Sequence, residues 1–312
     1  MSRVRIPSVA LLPSHDGPVD RTIPEYRPVM HLVAVQFSPT WLDPVDNRRR
    51  IEETIREVPP GSFVVLPEMC DTGWCLDAGA LPDTHAATLA WASTLAAERA
   101  IHLQVGLAMP VERSPGLANV AVIAHPDGSL GPFYEKMHPF GFTVEPAVYV
   151  AGRAIVLDRV GEAVAAPSIC YDLRFPELHR LAVAGGAQIL SIGANWPRAR
   201  IAHWRSLAIA RAIENQSCVI AVNRVGSDPD HEYGGNSMII GPDGGILAEA
   251  GDSATLLEAD LDLDELLERR RSFPALVDRR DELLGRADID RGSPRVPGRP
   301  EESDVDREPP DR

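Results

Sequence analysis

Between residues 30 and 285, short apolar runs of strand length alternate with stretches of helical character. No other feature of the sequence limits the fold as much. The runs lie at 31–37, 63–66, 102–108, 119–124, 188–192 and 218–223. Helical patterns lie at 46–55, 84–99, 178–187, 202–215 and 263–271, the first closed by Pro59-Pro60-Gly61. Two late strands, at 237–240 and 254–259, flank the turn Pro242-Asp243-Gly244. Alternation followed by paired strands predicts a mixed sheet covered by helices, an α/β class, in one domain over residues 30–285. No repeat of solenoid length interrupts it. Residues 1–29 are rich in Pro and Arg without a period and read as a flexible arm, with Met30 an alternative translation start. Residues 286–312 are Pro, Gly and charge and read as a disordered tail.

One strand end in this pattern is suited to chemistry. The small apolar segment 163–166 leads through Pro167-Ser168-Ile169 to Cys170-Tyr171-Asp172-Leu173-Arg174, and a helical stretch with a glycine stop follows. Cys170 therefore sits on a sharp turn at the carboxyl end of a buried strand. A side chain there projects into the crevice, and the N–H groups after it point outward unpaired. Such a turn presents a nucleophile and a main-chain donor for an oxyanion. The helix-terminal dipoles are expected to lower the thiol pKa. A buried structural cysteine is the alternative from the turn alone.

Composition removes several classes. The net charge of −14 argues against a nucleic-acid surface. No apolar run is long enough to span a membrane. The one apolar N-terminal run, Val9-Ala10-Leu11-Leu12, is short and broken by Pro13, so no secretory signal is read and a cytoplasmic location is expected. The cysteines are Cys70, Cys75, Cys170 and Cys218. Their spacing fits neither a disulfide framework nor a zinc site, so reduced thiols are expected.

A nucleophile at Cys170 needs a base and a charge stabiliser. Glu68 ends the strand 63–66, where a charge in apolar company must be paired or functional; a solvent-facing loop glutamate is the alternative. Lys136 stands among aromatic residues, in Tyr134-Glu135-Lys136-Met137-His138-Pro139-Phe140, and is the only lysine in the chain. Arginine would serve a surface role equally well, whereas a compact ammonium fits beside a small oxyanion. Glu145, in Thr143-Val144-Glu145-Pro146, is a third charged residue in apolar surroundings. Histidine is the usual partner of a catalytic cysteine. His179 lies far along the following helix, while His138 and His203 remain open. Glutamate, lysine and cysteine at three strand ends fill every role without one.

The blocks Leu66-Pro67-Glu68-Met69, 134–140 and 169–177, in this order and at this spacing, make residues 31–280 resemble the nitrilase superfamily of carbon–nitrogen hydrolases. Ala194-Asn195-Trp196-Pro197, Arg200, His203-Trp204, 210–216, 223–228 and Phe273-Pro274-Ala275 resemble its omega-amidase branch. The resemblance implies a four-layer αββα sandwich, single-domain, that pairs into a homodimer or higher homo-oligomer. It also implies that Glu68 is the base, that Cys170 forms the thioester, that Lys136 and the Tyr171 N–H hold the oxyanion, and that Glu145 positions the lysine and helps orient water. The substrate it implies is a short carboxylate-bearing amide, 2-oxoglutaramate or 2-oxosuccinamate, cleaved with water to release ammonia, with no metal or cofactor needed.

A carboxylate suits an arginine fork. Arg200 is the first candidate and Arg198 the second, with Asn195 hydrogen bonding and Trp196 as an apolar wall. The arm, the tail, and Cys70 and Cys75 in the loop after Glu68 depart from the family pattern. Alternatives within the superfamily are a deaminated-glutathione amidase, an N-carbamoyl amino-acid hydrolase and a nitrilase. Alternatives outside these are an inactive scaffold protein and a cysteine protease.

Overall fold

A computed structural model describes residues 29–111 and 114–280; the arm, apart from Val29, and the tail expected from the sequence lie outside the described residues. The elements in chain order are β1 (Val29–Gln36), α1 (Pro44–Thr54), β2 (Phe63–Val65), α2 (His85–Arg99), β3 (His102–Val111), β4 (Ser114–Ala124), β5 (Tyr134–Glu135) and α3 (Glu145–Val148). There follow β6 (Asp158–Val160), β7 (Ala163–Ile169), a 3₁₀ turn over Cys170–Arg174, α4 (Pro176–Ala184), β8 (Ile189–Ala194), α5 (Ile201–Asn215) and β9 (Cys218–Asn223). The chain continues through β10 (Val225–Ser227), β11 (Glu232–Gly234), β12 (Met238–Ile240), β13 (Ile246–Glu249), β14 (Thr255–Asp262) and α6 (Leu263–Ser272). The described residues up to Phe273 belong to one compact unit and those from Pro274 to a second, in which the Val277 N–H closes a turn on the Pro274 carbonyl at 2.9 Å.

The strands make two six-stranded mixed sheets, ordered β14-β1-β2-β3-β4-β5 and β13-β12-β9-β8-β7-β6. Period-two alternation decides which faces meet. Leu32 and Ala34 of β1, with Phe63 and Val65 of β2, pack against Ala163, Ala165, Ile189, Ile220 and Val222 of the second sheet. The intervening Val33, Val35 and Val64 face the other way, onto Ile51 of α1, Ile55 directly after it, and Ala92 and Leu95 of α2. Helices α4 and α5 pack together, and α5 lies on β9 and β12. The layers are thus helix, sheet, sheet, helix, and the αββα sandwich is the fold.

Gly226 to Gly235 reads in the sequence as a glycine-containing loop, yet with Val225 it forms the hairpin β10–β11. Its Gly, Asp and Pro residues form a turn stapled by Asp228, whose carboxylate accepts the N–H groups of Asp230 and His231 at 2.9 and 2.7 Å and the Tyr233 hydroxyl. Edge strands β6 and β13 escaped the pattern because both are short and flanked or interrupted by charge, as at Asp158, Arg159 and Glu249.

Candidate active site

The site forms where strand ends of both sheets meet. Glu68 follows β2 in a segment gripped by two glycines, one from each sheet. A Cβ on Gly106 of β3 would lie 2.8 Å from the Met69 nitrogen, and one on Gly193 of β8 would lie 2.7 Å from the Leu66 carbonyl oxygen and 3.0 Å from the Glu68 nitrogen. No side chain fits at either position without moving that backbone. Lys136 follows β5, its N–H on the Asn119 carbonyl at 2.8 Å, while Glu145 opens α3. Cys170 follows β7 and opens the 3₁₀ turn with φ +47°, and Met69, beside Glu68, has φ +45°. Non-glycine residues in this region are uncommon.

The structure brings Glu68, Lys136, Glu145 and Cys170 together. All are buried, with exposures of 1, 2, 0 and 9 %. The Lys136 Nζ donates to Glu68 Oε1 at 2.8 Å and to Glu145 Oε1 and Oε2 at 2.8 and 3.1 Å. The Phe140 N–H donates to Glu145 Oε2 at 2.6 Å. Burial opposes the charge on Glu68, but the Lys136 ammonium and hydrogen bonds from Lys136 and Asn195 outweigh it and hold the carboxyl below its ordinary value. Burial likewise opposes the Lys136 charge, and Glu68 and Glu145 reverse the balance, so the ammonium is held well above the usual lysine range.

The expected lowering of the Cys170 pKa is corrected. Burial pushes the thiol well up, Glu68 and Glu145 add to this, and Lys136 and the Asn195 main-chain amide only partly offset it. A buried sulfur beside two carboxylates and one ammonium rests as a thiol whatever its turn dipole offers. The other thiols, Cys70, Cys75 and Cys218, are free and buried, and burial raises each of their pKa values.

A pocket opens onto Cys170 and Lys136, walled by Trp74, Phe140, Tyr171 and Trp196, with Arg174 and Arg200 beside them. Arg200 lies over the Phe140 ring at 5.6 Å and Arg174 over the Trp196 ring at 4.8 Å. Neither guanidinium has an acidic partner among the described residues. Arg198 is drawn away, toward Asp252 at 3.5 Å and Glu232 at 4.0 Å. Asn195 lines the pocket, yet its donors are committed to Glu68: its N–H reaches Oε2 at 2.9 Å, and its Nδ2 reaches the main-chain oxygen at 2.8 Å and Oε2 at 3.1 Å. Asn195 Oδ1 and the Trp74 indole nitrogen are buried without a partner among the described residues, leaving one acceptor and one donor uncommitted in residues of the pocket wall.

None of the three histidines lines the pocket. His138 bonds Asp172 Oδ1 at 2.8 Å and stacks on Phe175; His203 meets Arg174 at 3.3 Å; His179 sits buried between Ser168 and the Phe175 carbonyl, its pKa pushed down to about 4 by burial and then by Arg211.

Sequence reasoning missed Asn119, Asp172 and Arg174. Asn119 and Asp172 are polar residues buried in apolar company, which is a readable signal of a network. Asp172 accepts from the Tyr134 hydroxyl at 2.7 Å, the His138 N–H at 3.0 Å and the Ile169 N–H at 3.1 Å, tying the lysine segment to the cysteine turn.

A thiol, a carboxylate and an ammonium gathered at the strand ends of a two-sheet sandwich are the parts of a cysteine-dependent acyl-transfer hydrolase. A family model described as carbon–nitrogen hydrolase matches residues 32–271. The chain belongs to this family, within the nitrilase superfamily. It is 36 % identical over 253 residues to a 2-oxoglutaramate amidase of Bacillus subtilis, covering 80 % of this chain and 97 % of that one. It is 34 % identical to the omega-amidase YafV of Escherichia coli K12, with the same coverage of each. Among solved structures, a CN-hydrolase superfamily protein from Xanthomonas campestris, XC1258, bearing an arsenic adduct in its active site, superposes with a TM-score of 0.75 at 32 % identity, covering 80 % of this chain and 97 % of that one.

Proposed function

We propose that this carbon–nitrogen hydrolase is an omega-amidase, cleaving the terminal amide of a short 2-oxo acid such as 2-oxoglutaramate or 2-oxosuccinamate through a Cys170 thioester. The observation that carries this reading is the buried Glu68–Lys136–Glu145 ion cluster beside Cys170, in a pocket whose rim holds two guanidinium groups without acidic partners among the described residues. A substrate carboxylate satisfies those cations. Arg200 and Arg174 are its proposed ligands, with Trp196 as the apolar wall and Asn195 steadying Glu68 while presenting its free Oδ1. The amidase names of the relatives support the same substrate class.

Glu68 takes the thiol proton as Cys170 attacks the amide carbon. The oxygen of the tetrahedral intermediate lies between the Lys136 Nζ and the Tyr171 N–H, which precedes the first bond of its own 3₁₀ turn. Collapse breaks the C–N bond, and Glu68 returns the proton to the departing nitrogen, releasing ammonia. Water then attacks the thioester as Glu68 takes its proton, the C–S bond breaks to free the acid, and Glu68 returns the proton to the Cys170 sulfur, with Glu145 fixing Lys136 and helping orient the water. Resting as a thiol, Cys170 gives up its proton only as an acyl carbon is attacked.

We also infer that the chain works as a homodimer in the cytoplasm. Leu181 of α4 and Ile213 of α5 are each 53 % exposed on the helical layer over the second sheet, and free buried thiols suit a reducing compartment.

The test is ammonia release from 2-oxoglutaramate, 2-oxosuccinamate, glutamine, deaminated glutathione, an N-carbamoyl amino acid and a simple nitrile, with Cys170→Ala beside the wild type. Release from the 2-oxo acid amides, lost in the variant, is expected. Release from another member alone overturns the substrate.

A further inference from the structure

Asn119 touches all three charged groups of the ion cluster, though neither ion pair includes it. It stands on β4, 1 % exposed. Its Nδ2 donates to Glu68 Oε1 at 2.7 Å and lies 3.4 Å from Glu145 Oε1, and its carbonyl accepts the Lys136 N–H at 2.8 Å. Its Oδ1 has no partner among the described residues. A buried amide oxygen without a partner costs free energy that a leucine of similar volume would avoid. What Asn119 offers in return is the N–H between two carboxylates.

The two oxygens of Glu68 are therefore different. Oε1 accepts from the Lys136 Nζ and the Asn119 Nδ2; Oε2 accepts from the Asn195 N–H and Nδ2. Asn195 lines the pocket together with Cys170 and Asn119 does not, so we take the Asn195-bound Oε2 as the oxygen that faces the sulfur.

We propose that Asn119 is a positioning residue for acyl transfer: it holds Glu68 Oε1 so that Oε2 alone exchanges the proton with Cys170. This rests on the roles given above to Glu68 and Cys170. In acylation the proton leaves the sulfur for Oε2 as the S–C bond forms. It then passes from Oε2 to the leaving nitrogen as the C–N bond breaks, and Lys136 remains an ammonium throughout. When the Lys136 Nζ turns toward the substrate oxygen, Oε1 loses its charged donor. Asn119 keeps that oxygen occupied, so the proton does not land on the side away from the sulfur. It also holds the carboxylate ready in its ionised form, because a donor to a carboxylate favours the charged state.

The experiment measures kcat and KM against pH for the full chain, with the most active 2-oxo acid amide, in wild type, Asn119→Leu, Asn119→Ser and Glu68→Gln, with thermal melting alongside. Asn119→Leu is expected to lower kcat about tenfold or more with KM little changed. The acid limb of kcat/KM is expected to move to higher pH by about one unit. Asn119→Ser, which restores a donor, is expected to bring the limb part of the way back. A folded Asn119→Leu whose activity falls with an unmoved limb overturns the proposal, since a merely structural role lowers activity at every pH alike. Should Asn119→Leu fail to fold, Asn119→Ser decides: an upward limb shift supports the proposal and an unshifted limb overturns it. Near wild-type turnover by Glu68→Gln removes the base assignment and the proposal with it, whereas a Glu68→Gln whose kcat falls about a thousandfold, beside an unmoved limb, removes the proposal alone.

Discussion

Glu68 is surrounded by donors, and that sets its chemistry. A carboxylate accepting from Lys136, Asn119 and Asn195 stays ionised at pH values where an exposed glutamate takes a proton. Since the base must be ionised, activity rises with pH through the folded pKa of Glu68. The acid limb of kcat/KM is therefore expected below the ordinary glutamate range, with a plateau across neutrality; a limb above that range in the wild-type profile contradicts the assignment. Glu68→Gln keeps the shape and removes the base, so kcat is expected to fall about a thousandfold. Cys170 titrates in the opposite sense. Its thiol is pushed well up, so inactivation by iodoacetamide without substrate is expected to be slow at neutral pH and to accelerate only on the alkaline side of the ordinary thiol range. At this scale the sequence was informative about charge and poor about satisfaction. A lone lysine and two glutamates in apolar company stand out in the sequence, whereas the residue holding them, Asn119, is one amide inside the strand between Ala118 and Val120, and nothing local says where its N–H points.

Two elements meet to make the site, and each is held by something outside itself. The segment after β2 is clamped by Gly106 and Gly193. Gly193→Ala drives a methyl into backbone, and a destabilisation of about 1–3 kcal/mol is expected, with kcat lowered more than that loss of folded protein accounts for. Urea unfolding and active-site titration check it. The 3₁₀ turn after β7 is held by Asp172, which reaches across to Tyr134 and His138. Asp172→Ala strands several buried donors at once, and a loss of about 3 kcal/mol or more is expected by urea unfolding, with Lys136 displaced and kcat depressed. The strand–turn–helix around Cys170 was legible because a buried strand running into a helix forces a sharp turn. The clamp was not, because it joins residues 66–69 to glycines distant in sequence and on different sheets. The hairpin β10–β11 was hidden for another reason: its order comes from the Asp228 staple and Tyr233, not from an apolar period.

The sandwich as a whole carries a pH response far from the chemistry. The Gly161 N–H donates to His102 Nε2 at 3.2 Å, so neutral His102 keeps its proton on Nδ1 and donates to His125 Nδ1 at 3.0 Å; His125 Nε2 then donates to Asp158 at 3.2 Å. This relay joins β3 and β4 of the first sheet to β6 of the second. Burial, and then His125, push the His102 pKa from 6.5 down to about 4. A depressed histidine contributes stability that is present above its unfolded pKa and is lost as pH falls. The melting temperature is therefore expected to decline between pH 6.5 and about 4, and less steeply in His102→Asn. Leu181→Glu with Ile213→Glu is expected to shift the mass by light scattering from dimer to monomer, and an unchanged mass contradicts that face as the contact. The claim beneath all of this is that Cys170 becomes acylated. The most direct measurement is mass spectrometry of the enzyme acid-quenched during turnover of 2-oxoglutaramate, with the adduct mapped by digestion. The predicted result is an added mass equal to the 2-oxoglutaryl group on the peptide containing Cys170, absent in Cys170→Ala, which releases no ammonia. Continued turnover by Cys170→Ala, or an adduct on a different residue, would contradict it.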